Sequence, residues 1–230
     1  MKIELLLQEV IMYGFIPASL IIMCILAIKK WKESEKNPYN LILSAFFVGL
    51  IIGIFLNIFY LIAVELENEL AYIILSRFSA FLLVYSLSFI PFLLQALKSS
   101  LKLMTKQYKI TYFLLMALLC SGFLYLGNVF LSESLVLRWD LLLAIYSLLV
   151  ITIITTLNIY YSVQVIRKFE SEQLKKKFSL FIIGLIIIIW IEISVVLVKI
   201  NLISSLISSI SFGIGMVLGP LLIYLGIGKK

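Results

Sequence analysis

Histidine is absent from the 230 residues, and charged side chains make up only 13% of them. The first absence removes the commonest metal ligand and the commonest general base near neutral pH. The second accompanies a 63% hydrophobic content, far from the roughly 25% charged and 45–50% apolar make-up of an average soluble domain. A soluble fold of this size has too little interior for so much apolar surface. Cysteine is nearly missing too. Cys24 and Cys120 both lie inside apolar runs and read as small buried hydrophobes, not as a disulfide or metal pair. No GxSxG elbow, phosphate-binding glycine loop, HExxH or cysteine–histidine spacing occurs. The expectation is a protein without cofactor, metal or catalytic residues, and not an enzyme.

What the chain has instead is long apolar runs, at about 8–28, 39–64, 70–97, 110–131, 140–165, 178–199 and 203–227. A helix needs about 20 apolar residues to cross a hydrocarbon core about 30 Å thick. Backbone groups in lipid must be paired within the segment, and the alternation of barrel strands is missing, so each run is expected to be a helix. The predicted class is all-α: a single domain over 1–230, a multi-pass bundle of seven transmembrane helices in the cell membrane, with no length left for a soluble domain. The first run has Glu4 and Glu9 at its leading end and Lys29, Lys30 and Lys32 behind it, so it reads as a retained helix and not as a cleaved secretory leader.

The net charge of +7 reports topology and calls for no nucleic-acid partner. Lysines and arginines collect after the first run (Lys29, Lys30, Lys32, Lys36), the third (Lys98, Lys102, Lys106, Lys109), the fifth (Arg167, Lys168, Lys175, Lys176, Lys177) and the last (Lys229, Lys230). The intervening loops hold only Arg138 and Lys199, beside Glu65, Glu67, Glu69, Glu133 and Asp140. Basic loops stay in the cytoplasm, which predicts the N-terminus outside and the C-terminus inside. Aromatic rings follow the same division. Trp31, Tyr39, Tyr108 and Tyr112 fall near the predicted inner interface, and Tyr60, Tyr72, Tyr125 and Trp139 near the outer, as amphipathic rings at headgroup level would.

Polar residues inside the spans are the functional candidates, because an intramembrane charge costs about 2.5–3.5 kcal/mol on insertion scales. Glu192 lies beyond Lys177 by about 22 Å of helix at about 1.5 Å per residue, in the outer half of the sixth span. Arg77 lies near the outer end of the third. Three readings are open for Glu192: an ion pair with Arg77, a pairing with Lys199 on its own helical face, or a place on a cavity that binds a cation or carries a proton. Arg77, Ser88 and Gln95 fall within about 20° of one helical face, a polar stripe suited to bonding a neighbouring helix. Gly49 and Gly53 form GxxxG one turn before Asn57, which reads as close packing within the monomer or in a homo-oligomer. Ser204, Ser208, Ser211, Gly215 and Gly219 share a narrow face of the seventh span, where Ser208 and Ser211 would serve a polar cavity and the glycines close packing. Pro91 and Pro220 are expected to disturb their helices.

A weak internal echo joins the two halves. Val48-Gly49-Leu50-Ile51 follows the basic stretch Lys29-Lys30-Trp31 as Ile183-Gly184-Leu185-Ile186 follows Arg167-Lys168-Phe169, and the third and seventh spans both carry a proline followed by leucines. Two three-helix repeats joined by the fourth span would explain it, a plan some transporters use.

Seven spans with an external N-terminus invite comparison with rhodopsins, yet residues 203–228 contain no lysine for retinal. The layout resembles the seven-helix sensor region at the N-terminus of some prokaryotic histidine kinases. Pro91 with a basic loop after it, the start Trp139-Asp140 of the fifth span, and the basic hinge from Arg167-Lys168 to Lys177 carry the resemblance. It implies a sensor or receptor-like module for a small or lipidic ligand. With no kinase following Lys230, such a module is expected to stand alone and to signal through a cytoplasmic partner or the lipid bilayer. The rival expectations are a small secondary transporter using Glu192 as proton or cation site, and a structural or immunity-type membrane protein without a ligand. Isoleucine and lysine richness suggests an AT-rich prokaryote.

Overall fold

The computed structural model describes residues 16–35, 37–101, 103–131, 137–202 and 205–228. Within them the fold is all-α with one short β-ribbon: α1 (Ile16–Glu33), α2 (Tyr39–Glu65), α3 (Glu69–Leu87), α4 (Phe89–Ser99), α5 (Lys106–Tyr125), β1 (Val129–Leu131), β2 (Leu137–Trp139), α6 (Leu141–Ile166), α7 (Glu172–Lys199) and α8 (Ser205–Gly228). Five helical stretches are long and apolar enough to cross a membrane: Tyr39–Val64, Glu69–Ser99, Lys106–Tyr125, Leu141–Ile166 and Glu172–Lys199. Three helices, α3, α5 and α6, start where a side chain satisfies a free N–H group. Asn68 accepts from the amide of Ala71 at 3.0 Å, Thr105 from that of Tyr108 at 3.2 Å, and Asp140 from that of Leu143 at 2.9 Å.

Two expected spans take a different form. The third is divided at Ser88, between α3 and α4. Pro91 has no N–H to give and its ring crowds the carbonyl four residues earlier, which is that of Leu87. The interruption therefore falls where the proline places it, while Pro220 stays within α8. The fourth expected span, α5, ends at Tyr125, not at 131. Gly127 has φ of +63°, a left-handed conformation that glycine adopts freely, and the chain turns there into the antiparallel ribbon pairing Val129 with Trp139.

The packing order is a closed ring. α1 lies on α2, α2 on α3 and α4, α4 on α6, α6 on α7, α7 on α8, and α8 back on α1, with α5 set against α3 and α6. The most extensive interfaces are α2 with α3 and α7 with α8, and glycines make both. A Cβ at Gly49 or Gly53 would lie 2.7 Å from side-chain atoms of Ser86 or Leu83 on α3. A Cβ at Gly184 would lie 2.6 Å from the carbonyl oxygen of Gly219 on α8, and one at Gly215 would strike Ile191. The GxxxG motif thus closes α2 on α3 within the monomer, and Gly215 and Gly219 close α8 on α7. α5 is attached by rings: Phe89 and Phe92 meet Phe113 at 4.9 and 4.8 Å, and Phe92 meets Tyr112 at 5.1 Å.

The bundle has two chemically distinct ends. The basic end carries the last turns of α1, α4 and α6 and the first turns of α5 and α7. There Lys168 donates to the carbonyl of Lys98 at 2.7 Å, and Lys29 and Lys30 lie over the Tyr224 ring at 5.2 and 4.9 Å. The other end carries the ribbon. Of the rings read as interfacial, Tyr72, Tyr112 and Trp139 are buried in the bundle, whereas Trp31, Tyr108 and Tyr125 are exposed.

Candidate functional site

Arg77 and Glu192 do not pair. Arg77 sits on α3 beside the end of α5 and donates to the carbonyls of Leu126 (3.1 Å) and Gly127 (2.6 Å). These oxygens have no partner in a helix that stops at Tyr125, and the guanidinium satisfies both at once. The remaining members of the polar stripe also face α5. The Ser88 carbonyl accepts from Tyr112 at 2.8 Å, and Gln95 Oε1 accepts from Tyr108 at 2.6 Å. The Ser88 hydroxyl donates back to Tyr85 at 2.6 Å. Among the described residues, the outward polar bonds of this stripe join the third span to α5 and to the turn that follows it.

Glu192 is on α7, 6% exposed, with Oε1 lacking a hydrogen-bond partner among the described residues. It lines a cavity of about 40 Å³ near the ribbon end, with Asn57 and Tyr60 of α2, Ser79 of α3, Trp139 of β2 and Lys199 of α7. Ser79 is already committed, donating to the carbonyl of Gly53 at 2.8 Å. Glu192 and Lys199 therefore share a cavity, as their seven-residue spacing on one helical face suggested. No salt bridge joins them, whereas Lys30 pairs with Glu33 and Lys175 with Glu172 elsewhere in the bundle. Lys199 has the face of Tyr60 instead, 5.3 Å from its ammonium to the ring centroid, a cation–π contact that strengthens away from water.

The ribbon covers this region. Asp140 accepts from the amide of Asn128 at 2.6 Å, and Arg138 donates to the carbonyl of Val198 at the end of α7. Trp139 is thereby held between the ribbon and the cavity, with its ring 6.3 Å from that of Phe123.

Ser211 is half-buried on α8 but does not line this cavity; its neighbour Phe212 does. The side chain of Ser208, like residues 203–204, lies outside the described residues. Tyr60, Ser79 and Trp139 were missed as cavity residues, and Lys199 was foreseen only as a partner for Glu192. A second group also escaped notice: Thr155, Asn158 and Ser162 on α6, whose three-and-seven spacing marks a single helical face. Cys24 and Cys120 are both free, and among the described residues no group of histidine, cysteine and carboxylate side chains could hold a metal ion.

Fold and site together define an all-α protein with five helical stretches long and apolar enough to cross a membrane and an acidic side chain in its interior. No family model, curated protein or solved structure matches the chain.

Proposed function

We propose that this is a seven-helix cell-membrane protein of sensor or receptor type, with the ribbon end outside and the basic end in the cytoplasm, whose ligand-binding group is Glu192. α1 and α8 complete the seven spans in this reading, and the positive-inside rule supplies its orientation. One observation carries it: a buried carboxylate faces a cavity with one oxygen unpartnered. Such a group is costly to keep in a membrane bundle and marks a binding or proton site by default. Lys199 has the Tyr60 ring for company, so the group left seeking a partner is the acid. The species that suits it is a small cation or ammonium group. At about 40 Å³ the cavity exceeds the roughly 10–15 Å³ that one water requires but is far below the roughly 300 Å³ at which drug-sized pockets begin. A larger or lipidic ligand would require the ribbon to move. A signal would pass along α7 to the basic end, where a cytoplasmic partner could read it.

Trp139 provides the test, since the other two tryptophans, Trp31 and Trp190, are exposed. With Trp31→Phe and Trp190→Phe in nanodiscs, sodium, ammonium and methylammonium are titrated against Trp139 fluorescence. The expected result is a saturable change with at least one of them, lost in Glu192→Gln. No saturable change with any of them would end this reading.

A transporter is the second reading, favoured by the repeated packing order. In each half the second and third spans form the tightest pair, with an echo glycine, Gly49 or Gly184, at the contact. Its test is electrical. A current driven by a proton or sodium gradient across proteoliposomes and abolished by Glu192→Gln would establish transport. Silence would leave the sensor.

A further inference from the structure

Nearer the basic end than the Glu192 cavity, between α6 and α7, lies a cleft of about 320 Å³ that the proposed function leaves unused. Thr155, Asn158 and Ser162 of α6 line it beside isoleucines and Leu185, which form most of its surface. Asn158 is fully buried and Ser162 is 5% exposed. Thr155 Oγ1, both amide atoms of Asn158 and Ser162 Oγ lack hydrogen-bond partners among the described residues. Thr152 and Thr156 on the same helix donate instead to the carbonyls of Leu148 and Thr152, so α6 satisfies hydroxyls elsewhere and leaves this face free.

Several features restrict the occupant. No charged side chain lines the cleft, so a charged ligand would enter without a counter-ion. Asn158 is eight residues from the end of α6, about 12 Å at about 1.5 Å per residue, which is too deep for a headgroup. Ile159, Val163 and Ile186, which line the cleft, are exposed on the outer surface of the bundle, so access is sideways, from hydrocarbon. A dry apolar cavity can stay empty, but four unpartnered polar atoms buried beside it cannot be left so without cost. We propose that the α6–α7 cleft binds a neutral amphiphile from within the bilayer, its hydroxyl, ester or amide group bonded by Asn158 and Ser162 and its hydrocarbon chain lying against the isoleucines. The cleft volume is at the lower end of small-molecule sites, which suits one polar group and a segment of chain. The site depends on α6 and α7 spanning the membrane and is separate from Glu192.

The test uses full-length protein in nanodiscs with two photoreactive probes, a diazirine-bearing long-chain alcohol and the matching alkane. The alcohol is expected to label peptides of α6 and α7 saturably, with competition by unlabelled alcohol, while the alkane labels exposed faces evenly. Asn158→Leu should weaken apparent affinity for the alcohol about tenfold, the equivalent of one hydrogen bond, and Glu192→Gln should leave it unchanged. Should Asn158→Leu fail to fold, Ile159→Trp at the exposed mouth should block labelling instead. Equal labelling by both probes, or saturable labelling indifferent to the foldable variant, would overturn the proposal.

Discussion

Two sets of polar side chains lie inside this bundle and are treated in opposite ways. Arg77, Ser88 and Gln95 on the third span have their bonds closed by α5: two carbonyls for the arginine, one tyrosine hydroxyl each for the other two. Glu192 on α7 is more deeply buried than Arg77 yet has an oxygen with no partner among the described residues. Both sets are polar residues within long apolar helices, and composition alone cannot separate them. The difference is whether the neighbouring helix brings something to bond. The first set is adhesive between helices. The second is costly to the fold and is left facing a cavity, which is the usual condition of a working group.

The comparison can be broken by substitution, read as unfolding free energy in mixed micelles. The largest effect is expected from Arg77→Met, a loss of about 2–3 kcal/mol, because hydrogen bonds to a charged group contribute about 1.5–3 kcal/mol and two carbonyls are orphaned. A loss below about 0.5 kcal/mol would mean that the end of α5 is held by something else. Tyr112→Phe should cost about 1 kcal/mol, one buried neutral bond; no change would remove Ser88 from the adhesive set. Glu192→Leu should change stability in the other direction, by a gain of about 1 kcal/mol, since an unpartnered buried polar group is replaced by one that needs no partner. That variant should also silence Trp139, so stability and response would move apart.

The spans themselves were legible because hydrocarbon permits so few solutions. A run such as 141–166, with no charged side chain, had to be a helix. The break at Ser88 was half legible, since Pro91 was visible but the place where the helix would yield was not. The orientation of the apolar side chains was not legible. α2 buries Phe46, Phe47, Leu50 and Ile54 and exposes Val48, Ile52, Phe55 and Phe59, so its inner and outer surfaces have the same chemistry. A helix apolar all round gives no periodic signal of which side faces in.

The same limit explains the misread partner of Arg77. Its bonds go to backbone carbonyls of Leu126 and Gly127, groups that every residue has. They became available only because α5 stops at Tyr125 and the chain turns at Gly127. The approach of Glu192 to Lys199 was legible, because spacing within one helix is local. The contributions of Tyr60 and Trp139 to the same cavity come from other elements, and no local pattern announces them. The face of Thr155, Asn158 and Ser162 was there to be read, since three polar residues at helical spacing interrupt an otherwise apolar run.

The central claim is that Glu192 is kept for binding and not for holding the bundle together, and a double-mutant cycle between Glu192→Gln and Arg77→Met tests it most directly. The account predicts that Glu192→Gln alone shifts unfolding free energy by less than about 0.5 kcal/mol, and that the double variant equals the sum of the singles within about 0.5 kcal/mol, as uncoupled sites do. A strongly destabilised Glu192→Gln that Arg77→Met rescues, with a coupling above about 1 kcal/mol, would contradict it and restore the two charges as a structural pair.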